Sequence, residues 1–327
     1  MKYIKLFKTT AEYEAYIGDA ENFIRPNLSL CEDTNLTYIH NTVKQNPEEP
    51  TIDYSKQYFT IEALEDGLTV SLSRNASEYR IDNGSWATLS SLNATPSINS
   101  GQKISFKITN PAISTYGIGT FTVNKAFNVE GNIMSLLYGD DFIGQNDLSG
   151  KDYAFCYLFQ HSKTLQNAKN LILPATTLAN NCYYSMFYNC TSLTTAPELP
   201  TTILATYCYS HMFYGCTSLT TAPELPATTL TVGCYSSMFN DCTSLTTAPQ
   251  LHATTLAEQC YRNMFYNCSK LNKITMLATN IKASKYECLY NWVSGVASTG
   301  TFVKAASMTS LPSGPSGIPD GWTIENV

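Results

Sequence analysis

Eleven cysteines and four histidines are the side chains of this 327-residue chain whose types could do chemistry, and their spacing decides which chemistry. Eight of the cysteines form pairs: Cys182 with Cys190, Cys208 with Cys216, Cys234 with Cys242, and Cys260 with Cys268. Each pair spans eight residues and recurs after 26. A zinc site calls for close pairs such as C-x2-C converging on one point. Cysteines that advance one repeat at a time instead look like small apolar side chains filling a repetitive core. Disulfides or metal ligation are the alternatives to such structural thiols.

The histidines are His40, His161, His211 and His252. His211 stands where sister repeats carry Ser or Asn, and His252 replaces a proline, so both read as substitutions at tolerant surface positions. Asp140-Asp141 is a carboxylate pair, but neighbours on an extended chain point to opposite sides; after Gly139 it reads as a solvated turn. No G-x-S-x-G elbow, H-E-x-x-H, phosphate-binding glycine loop or EF-hand loop is present. A glycosidase would need two carboxylates facing across a cleft, leaving only a distant pair such as Glu198 with a carboxylate of the first half. The expectation is a non-enzymatic protein that uses no cofactor and no metal. The sequons at Asn83 and Asn189 matter only if the chain is secreted.

The elements that position these residues follow from the repeat. The doublet Met186-Phe187 returns as Met212-Phe213, Met238-Phe239 and Met264-Phe265, within text such as CYYSMFYNCTSLTTAPELP and CYSHMFYGCTSLTTAPELP. A fixed period between 20 and 50 residues marks stacked units, none able to bury its apolar side alone. Leu178, Cys182, Met186 and the Phe187–Cys190 edge recur at about four, which predicts a short amphipathic helix or helical turn. Leu193 to Ala196 predicts a short strand, stopped by Pro197 because proline has no amide to donate. A degenerate early copy runs from CYLFQHSKTL, and the pattern decays through Leu277, Cys288 and Trp292 into GIPDGWTIENV. Trp292 and Trp322 are the candidate plugs for the open end.

The C-x3-M-F-x2-C-x-S-L text resembles the BspA-like leucine-rich repeats of bacterial surface proteins, over roughly residues 151–327. The resemblance implies a leucine-rich-repeat solenoid, an adhesin or binding role at a bacterial cell surface, and no catalytic residues. The opening, from Tyr3 to the segment Pro26 to Asp33, is similar to the start of virion proteins from tailed phages of gut Bacteroides. That second resemblance implies an exposed binding protein that leaves the cell without a signal peptide.

The first half is not repetitive. Residues 1–52 read as an arm with a short helix around Thr10 to Ile17. Residues 53–128 carry alternating runs such as YFTIEAL, GLTVSLS and KISFKIT, which predict a β-sandwich-like domain. Asn83-Gly84 between two such runs predicts a two-residue hairpin turn. Residues 129–150 form a connector, and 151–327 the repeats with a C-terminal cap. The expected class is therefore mixed α/β: an arm, a small all-β domain, and a solenoid of short strands and short helices.

Charge and hydropathy exclude partners. Charged residues make up 14% and the net charge is -6, so no clustered Lys and Arg await phosphates and no nucleic-acid partner is expected. No run of about 18 apolar residues occurs, so no membrane insertion is expected. The opening lacks a signal peptide's apolar core, which reads as a chain kept in a cytosol unless it leaves inside something larger or a leader was removed.

Binding, if that is the task, belongs on columns of side chains one repeat apart. Thr195, Thr221, Thr247 and Lys273 should line the strand face, with Glu198, Glu224 and Gln250 at its rim. Tyr188, Tyr214 and Tyr266 form a second column, interrupted by Asn240, whose rings could stack on sugars or pack on a protein. Strand-friendly filler and ring-on-repeat packing are the bland alternatives. The leading expectation is a phage virion component, a head fibre, tail fibre or decoration protein. It would dock to a capsid or tail protein through residues 1–50 and bind a host surface protein or glycan through the repeats. A fibre would be a homotrimer, matching the symmetry of its attachment site. A bacterial surface adhesin is the alternative.

Overall fold

The computed structural model describes residues 52–279, 281, 285–308 and 311–327. The expected arm and its helix around Thr10 to Ile17 lie outside the described residues, apart from Ile52.

Alternating runs form the first sheet. Strands β1 (Phe59–Ala63), β2 (Val70–Leu72), β3 (Ser77–Ile81), β4 (Ala87–Leu89), β5 (Lys103–Lys107), β6 (Phe121–Val123), β7 (Phe127–Asn132) and β8 (Leu165–Ile172) follow one another along the chain. Six of them make an open sheet of order β4-β3-β5-β1-β7-β8, while β2 and β6 pair as a separate ribbon. All pairs are antiparallel except β7 with β8, which run parallel. Phe59, Ile61 and Ala63 of β1 are fully buried. The β3–β4 hairpin forms, but its tight turn is not an Asn-Gly loop. Asp82 takes the left-handed φ of 49° and the Gly84 N–H donates to the Ile81 carbonyl at 2.9 Å. The Asp82 carboxylate, accepting from the Lys103 N–H at 2.9 Å, fixes the turn to β5.

Strand β8 belongs to the degenerate first copy of the repeat, so sheet and repeats share a layer within one unit, Asp53–Val327. Their cores also merge. Phe121 stacks on Phe159 with ring centroids 5.9 Å apart, and Phe159 heads a column continued by Phe187, Phe213, Phe239 and Phe265 at 5.4 to 5.8 Å. A parallel column runs Phe155, Tyr183, Tyr209, Tyr235, Tyr261. Trp292 ends both, lying 6.5 Å from Tyr261 and 6.2 Å from Phe265, with its indole N–H donating to the Gly317 carbonyl at 2.8 Å.

The segments expected to be helices are chains of turns. In the second copy Asn181, Ser185 and Asn189 all have positive φ, and the same places in later copies repeat this: Tyr207, His211 and Gly215, then Gly233, Ser237 and Asp241, then Gln259, Asn263 and Asn267. A left-handed residue every fourth position cannot belong to an α-helix. It does give the spacing of four that a helix would also show. The amide groups divide by parity. Tyr183, Ser185 and Phe187 donate to carbonyls of the next copy at 2.9 to 3.0 Å, whereas Cys182, Tyr184 and Met186 donate three residues back at 3.1 to 3.3 Å. Half the donors of each turn segment are thus satisfied only by a neighbour.

The strand side of the repeats is also short. Thr221 bridges Thr247 and Thr247 bridges Lys273, as single parallel bridges. Full strands occur where proline is missing from the register. Lys169 stands where Pro197, Pro223 and Pro249 stand, and β8 runs through it; Thr275 lies within β9 (Lys273–Met276). Proline removes the donor a ladder needs. Strands β10 (Thr301–Lys304) and β11 (Thr323–Asn326) join β9 in a parallel three-stranded sheet. α-Helix is limited, among the described residues, to α1 (Ser135–Tyr138) and α2 (Lys285–Cys288), beside 3-10 turns at Tyr54–Lys56 and Gly139–Asp141. The expected mixed α/β class, with a sandwich-like domain and a solenoid of strands and helices, is therefore corrected: the described residues form open sheets and stacked turns.

Candidate binding surfaces

The thiols are part of the core. Cys190, Cys216, Cys242 and Cys268 each donate to the carbonyl of a phenylalanine in the preceding copy, at 2.9 to 3.2 Å. Burial pushes the Cys190 thiol well above its ordinary range and the Cys182 thiol up to about 12, so both remain protonated. All ten cysteines of the described residues are buried. Among those residues no group of three His, Cys, Asp or Glu could hold a metal ion.

Asp140 is exposed but not simply solvated. Its carboxylate accepts from the Lys107 ammonium at 2.8 Å and the Tyr58 hydroxyl at 2.7 Å. The bond from Lys107, then that from Tyr58, holds its carboxyl below the usual range. Lys107 also lies 4.6 Å from the Trp86 ring centroid and 3.3 Å from the Glu78 carboxylate, so this cluster packs the strands β3 and β5 against the turn at Gly139. His211 departs from the surface position expected of it. Its ring is largely buried, 5.3 Å from Tyr184 and 5.9 Å from Tyr214, and burial lowers its pKa to about 4. Ser210 Oγ lies 2.8 Å from His211 Nδ1, but that serine is 1% exposed and also donates to the Ser236 carbonyl. No substrate reaches such a hydroxyl.

The strand-face column is on the surface. Thr221, Thr247 and Lys273 are exposed and laddered, and Thr195, half-buried, bridges Asn167 of the preceding copy. Glu198, Glu224 and Gln250 are exposed beside them. The tyrosine column is only partly assembled. Tyr188 and Tyr214 stack at 4.7 Å, and His161 adds an edge-on contact to Tyr188 at 5.3 Å. Burial, with help from Asp241, raises the Tyr214 hydroxyl to about 12. Asn240 takes the next place, buried, with its side-chain oxygen lacking a partner, and Tyr266 stands apart beyond it, 39% exposed.

One group of side chains lies outside the two columns read from the sequence. Tyr153 and Tyr157 of the first copy, Asn181 and Tyr184 of the second, and Tyr207 of the third line an open cleft of about 520 Å³. The sequence carries a trace of it. Tyr184 sits in CYYS where sister copies read CYSH and CYSS, and Tyr153 and Tyr157 are four apart.

Residues 156–294 match the family model for the BspA type Leucine rich repeat region, in 6 copies. No curated protein and no solved structure matches the chain. The resemblance of the opening residues to phage virion proteins falls outside the described residues and outside the matched span.

Proposed function

We propose that a stretch of BspA-type leucine-rich repeats makes this chain a non-enzymatic, adhesin-like binding protein of a bacterial cell surface, with a protein as its partner. The observation that carries the reading is the exposed column Thr221–Thr247–Lys273 with Glu224 and Gln250 at its rim, on repeats that match this family. Side chains one repeat apart on a laddered backbone present a regular surface that costs little to order on binding. Repeats of this kind build extended contact surfaces out of such columns.

The test is retention of the chain on proteins stripped from a host-cell surface and immobilised. The change Thr221→Lys with Thr247→Glu should cut retention by about tenfold or more, a loss of about 1.4 kcal/mol. Equal retention on the same surface after trypsin digestion, or an unaltered affinity in the double variant, would sink the reading. Antibody labelling of intact cells addresses the location separately.

A further inference from the structure

We propose that the cleft lined by Tyr153, Tyr157, Asn181, Tyr184 and Tyr207 is a binding site for a short neutral saccharide. The inference stands apart from the protein-binding face and uses none of its residues.

The first argument is backbone strain. Three tyrosines of the described residues take positive φ: Tyr153 at 62°, Tyr157 at 59° and Tyr207 at 52°. All three line this one cleft. A bulky side chain in the left-handed region is an outlier, because its Cβ crowds the backbone. Sister copies fill the same places with Asn181, Gly233 and Gln259, or with Ser185, Ser237 and Asn263, which are small or polar residues. The stack therefore does not need tyrosine there. Strain that the fold does not require, concentrated around one opening, points to use.

The second argument is that the rings are held. Gly233 also has positive φ, and any side chain there would run into the Tyr207 ring, which lies across that position. Beyond it the Tyr207 hydroxyl donates to the Gln259 side-chain oxygen at 3.0 Å. The ring is thus seated on one copy and tied to the next. Tyr157 and Tyr184 meet edge-on at 5.5 Å, and Tyr157 is braced by Tyr116 at 6.1 Å. Pre-organised rings lose little freedom when a ligand arrives.

The third argument selects the ligand. Among the described residues no charged side chain lines the cleft, so neither an anion nor a cation is favoured. The Asn181 amide and the Tyr153 hydroxyl make no side-chain hydrogen bond to other described residues, leaving donors and acceptors for a ligand. A sugar ring offers an apolar C–H face to an aromatic ring and hydroxyls to an amide, which matches this lining. The volume lies within the range of small-ligand sites, roughly 300–1,000 Å³. Five residues are far fewer than the roughly 20–30 a side of a standard protein interface.

The experiment applies the full-length chain to an array of neutral oligosaccharides spanning hexoses, pentoses and N-acetylhexosamines, with an acidic hexasaccharide as the charged control. Any hit is then titrated by calorimetry. Binding to at least one neutral series is expected, and Tyr157→Ser or Tyr207→Gln should weaken it by about tenfold or more. Both changes install a residue that a sister copy already carries at that place, so the melting temperature should hold or rise. The variant Thr221→Lys with Thr247→Glu should bind the saccharide as the native chain does. Silence across the neutral array would overturn the proposal. So would binding that survives both tyrosine changes, or that favours the acidic control.

Discussion

The sheet of β1 to β7 and the stacked turns beyond β8 bury similar side chains by opposite routes. In the sheet, Phe59 and Phe106 are brought together by pairing residues 47 apart, and outside the β3–β4 hairpin the strands pair with distant parts of the chain. In the stack, Phe187, Phe213 and Phe239 repeat one environment at intervals of 26, and the neighbour that takes up half the amides is always the next copy. The sheet tolerates surface variation because its backbone is ordinary. The stack asks an unusual conformation of every fourth residue and recovers that cost through interlocking with adjacent copies. A copy alone would have the strain without the partners.

The largest expected effect tests whether the two regions unfold together. Phe106→Ala and Phe213→Ala each remove a fully buried ring and should each cost about 3–5 kcal/mol. Hydrogen exchange should separate them. Because each copy contacts chiefly its neighbours, Phe213→Ala should expose the amides of Phe187 and Phe239 more than those of β1 and β5. Uniform loss of protection would show that the Phe121–Phe159 contact makes both regions one cooperative unit.

How far the sequence reveals this molecule differs between the regions in the same way. The strand runs YFTIEAL and KISFKIT announce β1 and β5, because alternation with a period of two belongs to strands alone. The repeat period, the cysteine column and the exposed threonine ladder are equally plain. The turns read as helix because Cys182, Met186 and Cys190 recur at four, which approximates the helical 3.6 over so short a span. The distinguishing mark was available on the other face. Asn189, Gly215, Asp241 and Asn267 occupy one register, and these are the residue types that accept a left-handed backbone. The tyrosine cleft is hidden for another reason: Tyr153 and Tyr207 share a register but are separated in it by Asn181, Tyr157 and Tyr184 belong to two other registers, and only the stacking of three copies brings the four rings together.

The next effect depends on pH and on one residue of the stack. His211 has a folded pKa near 4 against an ordinary value of 6.5, since burial disfavours its charged ring. Above 6.5 it is neutral in both states and contributes nothing to pH dependence. Between 6.5 and about 4 the unfolded chain takes up the proton and the folded one does not, so stability falls on acidification. The loss approaches about 3 kcal/mol near pH 4 and then levels off. Denaturant melts across this window should show the slope, and His211→Ser, the residue of the sister copies, should remove that component. A slope equal in both proteins would assign the acid sensitivity elsewhere.

A smaller effect sharpens the contrast in backbone. Asn263 has a φ of 51°, so Asn263→Ala should cost about 1–2 kcal/mol while Asn263→Gly is close to neutral. On the sheet, exposed Thr88 in β4 supplies the control: Thr88→Ala should stay within about 0.5 kcal/mol, and Thr88→Gly should be the worse of the two. The order of alanine and glycine thus inverts between the regions. The same order at both sites would mean that position 263 relaxes out of the left-handed region.

The smallest effect is the one on which the functional reading leans. Thr221→Lys together with Thr247→Glu places alternating charges above Lys273 in the bridged column. Opposite charges across neighbouring strands are mildly favourable, and both native threonines are exposed, so stability should move by no more than about 0.5 kcal/mol. That neutrality lets a loss of partner binding be assigned to the surface and not to the fold. If the melting midpoint fell by several degrees, the threonine hydroxyls would be structural parts of the stack. Thr194 and Thr217 already play that part, donating to the carbonyls of Gln166 and Thr191 in the preceding copy at 2.9 and 3.3 Å. The partner would then have to be sought on the aromatic side.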